Sequence, residues 1–120
     1  MKMKVDDLIH KPLNWAVAQI VMPHNGAQGN VTVVSRGNES GWIFRPSEEW
    51  QCGGPLLFNW GISTILDTAN QSILSARWKA MPPASDETPS YGPDQLVAGM
   101  RCLVRQNFGD EIDIPDALLS

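Results

Sequence analysis

Histidine, cysteine and basic residues are scarce in this 120-residue sequence, and each scarcity narrows the class of protein it encodes. The two histidines, His10 and His24, have no cysteine or carboxylate at a metal-ligand spacing, which disfavours a metal site. The two cysteines, Cys52 and Cys102, form no CxxC motif, so we expect two thiols in a reducing compartment. Nine lysines and arginines against thirteen acids give a net charge of -4, which argues against binding of long nucleic acids.

Long apolar runs and catalytic motifs are also missing. No run approaches the roughly 20 apolar residues that span a bilayer, and the opening MKMKVDDL lacks the apolar core of a signal peptide. No GxSxG or GxxxxGK motif occurs, and the adjacent Glu48 and Glu49 diverge rather than share a site. We therefore expect one cytosolic domain over residues 1–120 that binds no membrane, metal or cofactor and is not an enzyme.

The clearest local pattern is a helix predicted over residues 91–109. Pro93 suits the first helical position, Asp94 and Gln95 place polar groups in the first turn, and Gly109 can close the helix in a left-handed conformation. Apolar residues recur at spacings of three and four, which predicts one buried stripe: Leu96, Val97, Met100, Leu103, Val104 and Phe108. Arg101 and Arg105 fall together on the flank of this stripe.

Upstream, the sequence predicts a second helix and a β-hairpin. Asp6 resembles an N-cap, and after a short turn the apolar residues keep helical spacing over about 12–22. The β-branched run 31–35 predicts a strand, which a turn at 36–41 connects to a returning strand at 42–44.

A glycine-rich corner and a second hairpin are predicted in the middle of the chain. Ser47 can cap one helical turn, after which Gly53-Gly54-Pro55 opens the backbone and fixes it again. Residues 56–66 predict extended structure with a kink at the central glycine. A turn at 67–71 then lets residues 64–66 pair with 73–78, and residues 81–89 form a surface loop.

These elements predict the fold class. Their order is helix, hairpin, corner, hairpin, loop, helix, which indicates an α+β domain: a small antiparallel sheet of two hairpins with two helices packed on one face. The alternating opening MKMKV indicates either a short first strand or an ordered lead-in.

A binding site can be assembled from aromatic, glycine and arginine residues. Trp50 beside Gly53 and Gly54 offers an aromatic plane with approachable backbone amides, while Tyr91 and Arg101 come from the start and the flank of the long helix. Together they suit a planar anionic ligand such as a nucleotide. The alternative is that Trp50 and Tyr91 pack in the core. Arg101 would then form a surface ion pair with Asp94 or Glu111.

Several short motifs also occur in a characteristic order. They are Asn14-Trp15-Ala16-Val17-Ala18, Pro46-Ser47 with Trp50, Gly53-Gly54-Pro55, Tyr91-Gly92-Pro93 with Leu96, Ala98, Met100, Arg101 and Cys102, and Gly109-Asp110-Glu111 with Pro115. This combination resembles the NinX-like proteins of tailed bacteriophages. The resemblance implies a small phage accessory protein in the cytoplasm of the host bacterium. The family has no settled activity, so the resemblance implies no catalytic role for any residue.

Two functional hypotheses follow from different classes. The first is a homo-oligomeric counter-defence protein that binds and sequesters a small nucleotide-derived host immune signal without cleaving it. The second is an interaction module that binds and inhibits a host or phage protein through exposed tryptophans and an acidic surface. A metal-dependent nuclease or phosphodiesterase has less support than either.

Overall fold

The computed structural model describes residues 1–67, 74–83 and 88–119 of the chain. These residues form four α-helices and five β-strands joined by loops and short 3-10 turns. The helices are α1 (His10–Val21), α2 (Gly26–Ser35), α3 (Trp50–Asn59) and α4 (Gln95–Phe108). The strands are β1 (Lys2–Lys4), β2 (Ser63–Leu66), β3 (Trp78–Met81), β4 (Ser90–Gly92) and β5 (Glu111–Asp113). The protein is therefore α+β, as the sequence predicts.

Helix α4 is the central element of the fold. Every residue from Leu96 to Val104 is buried, so the buried surface of the helix is wider than the predicted apolar stripe. The reason is that α4 is covered from more than one direction: α1 and α3 pack against it, and so do the strands β2, β3 and β4. A helix enclosed in this way buries polar and charged positions along with apolar ones.

The predicted boundaries of this helix are confirmed at one end and shifted at the other. Gly109 has φ +84 and follows the last helical residue, as expected. At the start, Asp94 is the N-cap, because its Oδ1 accepts a hydrogen bond from the amide of Val97 at 2.8 Å. Pro93 therefore precedes the cap instead of occupying the first helical position, and Tyr91 belongs to β4.

The strands form two small antiparallel sheets. The N-terminal strand β1 pairs with β5, with Lys4 opposite Glu111, and the other sheet has the order β2-β3-β4. The predicted second hairpin is confirmed as β2 and β3, but its register differs, because Thr64 lies opposite Ala80. Three predicted features lie partly outside the described residues. They are the turn at 67–71, the start of the partner segment 73–78 and the centre of the 81–89 loop.

The first predicted hairpin, over residues 31–44, is wrong. Residues 31–35 are the second half of α2, and 42–44 form no strand. Helix α2 packs against α1, where Val34 is buried and the indole of Trp15 donates a hydrogen bond to the carbonyl of Ala27 at 3.2 Å. Tertiary packing of this kind overrides the modest strand preference of β-branched residues.

The predicted glycine-rich corner is also wrong, since Gly53-Gly54-Pro55 lies inside α3. The amide of Gly53 donates to the carbonyl of Glu49 at 2.9 Å and so belongs to the helical ladder. A Cβ at position 53 would lie 2.1 Å from the carbonyl oxygen of Pro46. The glycine is therefore needed for the close approach of α3 to the preceding segment. Residues 56–59, which were predicted to be extended, are the last residues of the same helix.

The segment before α3 is fixed by a buried asparagine on α1. Asn14 is fully buried, and its Oδ1 accepts hydrogen bonds from the amide and the hydroxyl of Ser47, at 3.0 and 2.6 Å. Its Nδ2 donates to Glu48 Oε2 at 2.9 Å. Ser47 is thus not a helix cap as predicted, because its hydroxyl is bound to α1 and α3 begins only at Trp50.

We predict that Gly53→Ala destabilises the protein by about 2–3 kcal/mol, because the new methyl group overlaps backbone that cannot move freely. Gly54→Ala is the matched control: its Cβ would lie 3.3 Å from the ring of Trp50, which is 55% exposed and free to shift. Alanine there should leave stability unchanged or raise it by up to about 1 kcal/mol through helix propensity. Urea unfolding followed by circular dichroism measures both, and equal stabilities would contradict the assigned packing.

Candidate functional site

A buried arginine on α4 joins three parts of the fold. Arg101 is only 8% exposed, and its Nε donates a hydrogen bond to the carbonyl of Leu8 at 2.9 Å. Its Nη1 donates to the carbonyl of Tyr91 at 2.8 Å. These bonds attach the segment before α1 and the strand β4 to the central helix, so the guanidinium is held in one position.

The charge of this guanidinium has no direct carboxylate partner among the described residues. Burial lowers the pKa of Arg101 below its ordinary value, while the more distant charges of Asp6, Asp7 and Asp94 act in the opposite direction. An arginine nevertheless stays protonated at physiological pH. Among the described residues, none accepts a hydrogen bond from the third guanidinium nitrogen of Arg101, Nη2. A buried, unpaired charge is costly, so a bound anion would stabilise it.

Two neighbouring cavities lie next to Asp6 and Tyr91, and Arg101 lines one of them. The first, which we call the Arg101 lobe, has a volume of about 520 Å³ and is lined by Arg101, Asp7, Ile9 and Pro93 among others. The second, which we call the Arg105 lobe, has a volume of about 560 Å³. Asp6 and Tyr91 line both lobes, so these two residues separate them. We refer to the two lobes together as the two-lobed cleft.

The arginine of the second lobe differs from Arg101 because its charge is paired with carboxylates, although its buried Nε makes no hydrogen bond. Arg105 Nη2 contacts the carboxylate of Asp6, and its Nε lies 3.3 Å from Asp110 Oδ1. Its Nη1 donates to the carbonyl of Pro89 at 3.1 Å and to the hydroxyl of Ser90 at 3.2 Å. The guanidinium without a carboxylate partner in the described structure therefore lies in the Arg101 lobe.

The structure brings together two of the five residues from which the sequence assembles a site. Tyr91 and Arg101 meet at the cleft, whereas Trp50 lines a separate cavity of about 180 Å³ that shares no residue with it. Gly53 is buried beneath neighbouring backbone, and Gly54 faces the ring of Trp50. The cause is the helical structure of α3, which uses the amides that a glycine corner would have exposed. Ligand binding by any of these five residues stays a prediction.

The alternative interpretation of the same residues is met only in part. Tyr91 is half-buried, but Trp50 is 55% exposed and so is not a core residue. Arg101 forms no ion pair with Asp94 or Glu111 in the described structure, since backbone carbonyls accept its hydrogen bonds. It is a buried cation and not a surface one.

Sequence reasoning missed the residues that complete the cleft. Asp6, Asp7 and Ile9 precede Arg101 by more than 90 residues, and no local pattern connects them to it. The spacing of Arg101 and Arg105 was the usable signal, because residues four apart share a helix face. This spacing predicts that the two arginines lie on one face of the helix, but it does not predict which distant segment packs against that face.

Two further observations bear on the type of site. The described residues contain no group of three or more histidines, cysteines or acids placed to hold a metal ion. Within the same residues, no helix has the length and apolar character needed to cross a bilayer. A cavity of about 660 Å³ beside α2 has His24 and Glu39 in its lining, both exposed, and no buried charge. The buried cation therefore distinguishes the two-lobed cleft as the candidate site.

The fold and this cleft define a small α+β protein with a candidate anion-binding site. Residues 4–107 match the family model described as Bacteriophage P22, NinX, and the chain therefore belongs to the NinX family of phage proteins. The match includes Tyr91 and Arg101, but it ends before the Gly109-Asp110-Glu111 motif of the sequence resemblance. No relative was found among curated proteins.

We predict that Arg101→Ala lowers the free energy of unfolding by about 2–4 kcal/mol, because two buried carbonyl groups lose their charged donor. Arg36→Ala is the control, since Arg36 is exposed and its loss should cost less than about 0.5 kcal/mol. Chemical unfolding measures both variants, and equal stabilities would show that the buried bonds contribute nothing net.

Proposed function

We propose that this phage protein binds a small nucleotide-derived signal of host immunity in the two-lobed cleft and sequesters it without cleaving it. The observation that carries the proposal is the guanidinium of Arg101, which is buried at the wall of the cleft with no carboxylate partner in the described structure. A phosphate would supply the missing negative charge and could accept from Nη2. Membership of a phage protein family supports action inside an infected bacterium.

The size and lining of the cleft support a ligand of nucleotide size. Pockets for small molecules have volumes of roughly 300–1,000 Å³, and each lobe, at about 520 and 560 Å³, falls in this range. Tyr91 is half-buried between the lobes and can offer an aromatic face to a base. The fixed guanidinium needs no reorganisation on binding, which favours affinity.

Sequestration fits the chemistry of this site better than catalysis does. An arginine cannot serve as a general acid or base near neutral pH, because it does not release its proton. Arg101 is also held by two backbone carbonyls and so acts as a fixed donor. A decoy needs affinity alone. The proposal includes a homo-oligomer in the host cytoplasm, since ligand sites often form between subunits.

A second candidate function rests on a different surface. No charged residue occurs between Glu49 and Asp67, and α3 within this stretch exposes 55% of Trp50 and 87% of Phe58. These two aromatic residues are eight positions apart and so lie on one face of the helix. Exposed aromatic residues on an uncharged face are typical of protein interfaces. This observation favours an interaction module that binds and inhibits a host or phage protein.

The two candidates are separated by native mass spectrometry of protein purified from bacteria that carry nucleotide-signalling defences. We expect an added mass of nucleotide size that is released on denaturation, together with an oligomer. The same measurement on Trp50→Ala/Phe58→Ala protein should show the adduct unchanged. An unliganded mass that persists after addition of cyclic and ADP-ribose-type nucleotides would reject sequestration and favour the protein-partner candidate.

We predict that Ile9→Glu weakens nucleotide binding at least about tenfold, because the new carboxylate would compete for Arg101 and repel an anion. Ile9 lines the Arg101 lobe and is 36% exposed, so the fold should tolerate a polar side chain there. Ile9→Gln is the matched control of similar length without charge, and its affinity should stay within about threefold of the native protein. Titration calorimetry provides both values. An equal loss in the two variants would point to shape and not to charge.

A further inference from the structure

The lining of the Arg105 lobe contains more acidic than basic side chains. Its lining includes the carboxylates of Asp6, Asp110 and Glu111 against the cations of Lys4 and Arg105. Asp6 and Asp110 are both in contact with Arg105, which leaves Glu111 as the carboxylate of this lobe with no ion pair in the described structure. Beside its carboxylate, a neutral hydrogen-bond donor is favoured over a second anionic group.

The position of Glu111 makes its carboxylate available to a ligand. Glu111 lies on β5, is exposed, and stands opposite Lys4 in the pairing of β1 with β5. The two charged groups are beyond ion-pair distance, although the lysine offsets part of the local negative charge. Strand pairing fixes the main chain of Glu111, and no ion pair occupies its carboxylate in the described structure.

The chemistry of a carboxylate restricts what this lobe can bind. An ionised carboxylate accepts hydrogen bonds and donates none, so it pairs with neutral donors such as hydroxyl groups. The vicinal hydroxyls of a ribose are such donors, and a carboxylate on the ribose is a recurrent feature of dinucleotide sites. Across Tyr91, the Arg101 lobe also has more acids than cations in its lining, Asp6 and Asp7 against Arg101. It differs in that Arg101, only 8% exposed, keeps a donor, Nη2, that no described residue accepts.

We infer that the cleft selects ligands that combine one anionic group with a ribose whose vicinal hydroxyls are free. The anionic group binds Arg101, and Glu111 accepts hydrogen bonds from the ribose on the other side of Tyr91. This inference rests on the proposed function of the same cleft and narrows its ligand class. It disfavours nucleic-acid backbones, because their vicinal ribose hydroxyls are esterified or absent. It also disfavours polyphosphates, because their additional charges would approach the carboxylate of Glu111.

The experiment is titration calorimetry with three probes: AMP, 2′,3′-dideoxy-AMP and inorganic phosphate. We expect AMP to bind at least about tenfold more tightly than its dideoxy analogue, as two hydrogen bonds to a charged acceptor would give. In Glu111→Ala protein this ratio should fall close to one, and Glu111→Gln should keep part of it. Glu39→Ala removes an exposed acid outside the cleft and should leave the ratio unchanged.

The outcomes separate this inference from the function on which it rests. Equal affinities for AMP and the dideoxy analogue would overturn the ribose preference while sequestration of an anion stands. A preference that survives Glu111→Ala would overturn the role of Glu111. Failure of all three probes to bind would overturn both the inference and the anion-binding function. Circular dichroism of each variant confirms that the exposed substitutions leave the fold intact.

Discussion

The fold depends on one buried charge. The guanidinium of Arg101 donates to the carbonyls of Leu8 and Tyr91, and these two residues belong to segments that are far apart in the sequence. Each carbonyl would otherwise be left without a strong donor where the segments meet α4. The same charge is expensive to bury without a carboxylate. The guanidinium that joins these segments is therefore also a buried charge without a carboxylate partner in the described structure, and it lines a cleft.

This double role explains why the site has two unlike lobes. Arg105 lies one helical turn after Arg101, yet it is surrounded by acceptors from Asp6, Asp110 and the β4 segment. The charge of Arg105 is thus paired with carboxylates, whereas that of Arg101 has no such partner in the described structure. This difference between the two arginines underlies the proposal that the cleft binds a small anion.

Sequence patterns predicted elements wherever local and tertiary preferences agree. The helix over Gln95–Phe108 follows from its apolar period and the glycine after it, and α1 from a similar period, although the start of each helix shifted by a few residues. The α+β class and the hairpin of β2 with β3 were predicted for the same reason. Residues 31–35 and the Gly53-Gly54-Pro55 motif were misassigned, because strand propensity and glycine freedom are weak preferences that packing overrode.

The sequence by itself determined the class of fold, the position of the central helix, the family to which the chain belongs, and the presence of two arginines on one helical face. The tertiary structure alone decided which arginine has a carboxylate partner, because the carboxylates of Asp6 and Asp110 come from the two ends of the chain. It also separated Trp50 from Tyr91, since helical packing of α3 directs them into different cavities. Local periodicity specifies which face of a helix is buried, but long-range packing specifies what that face meets.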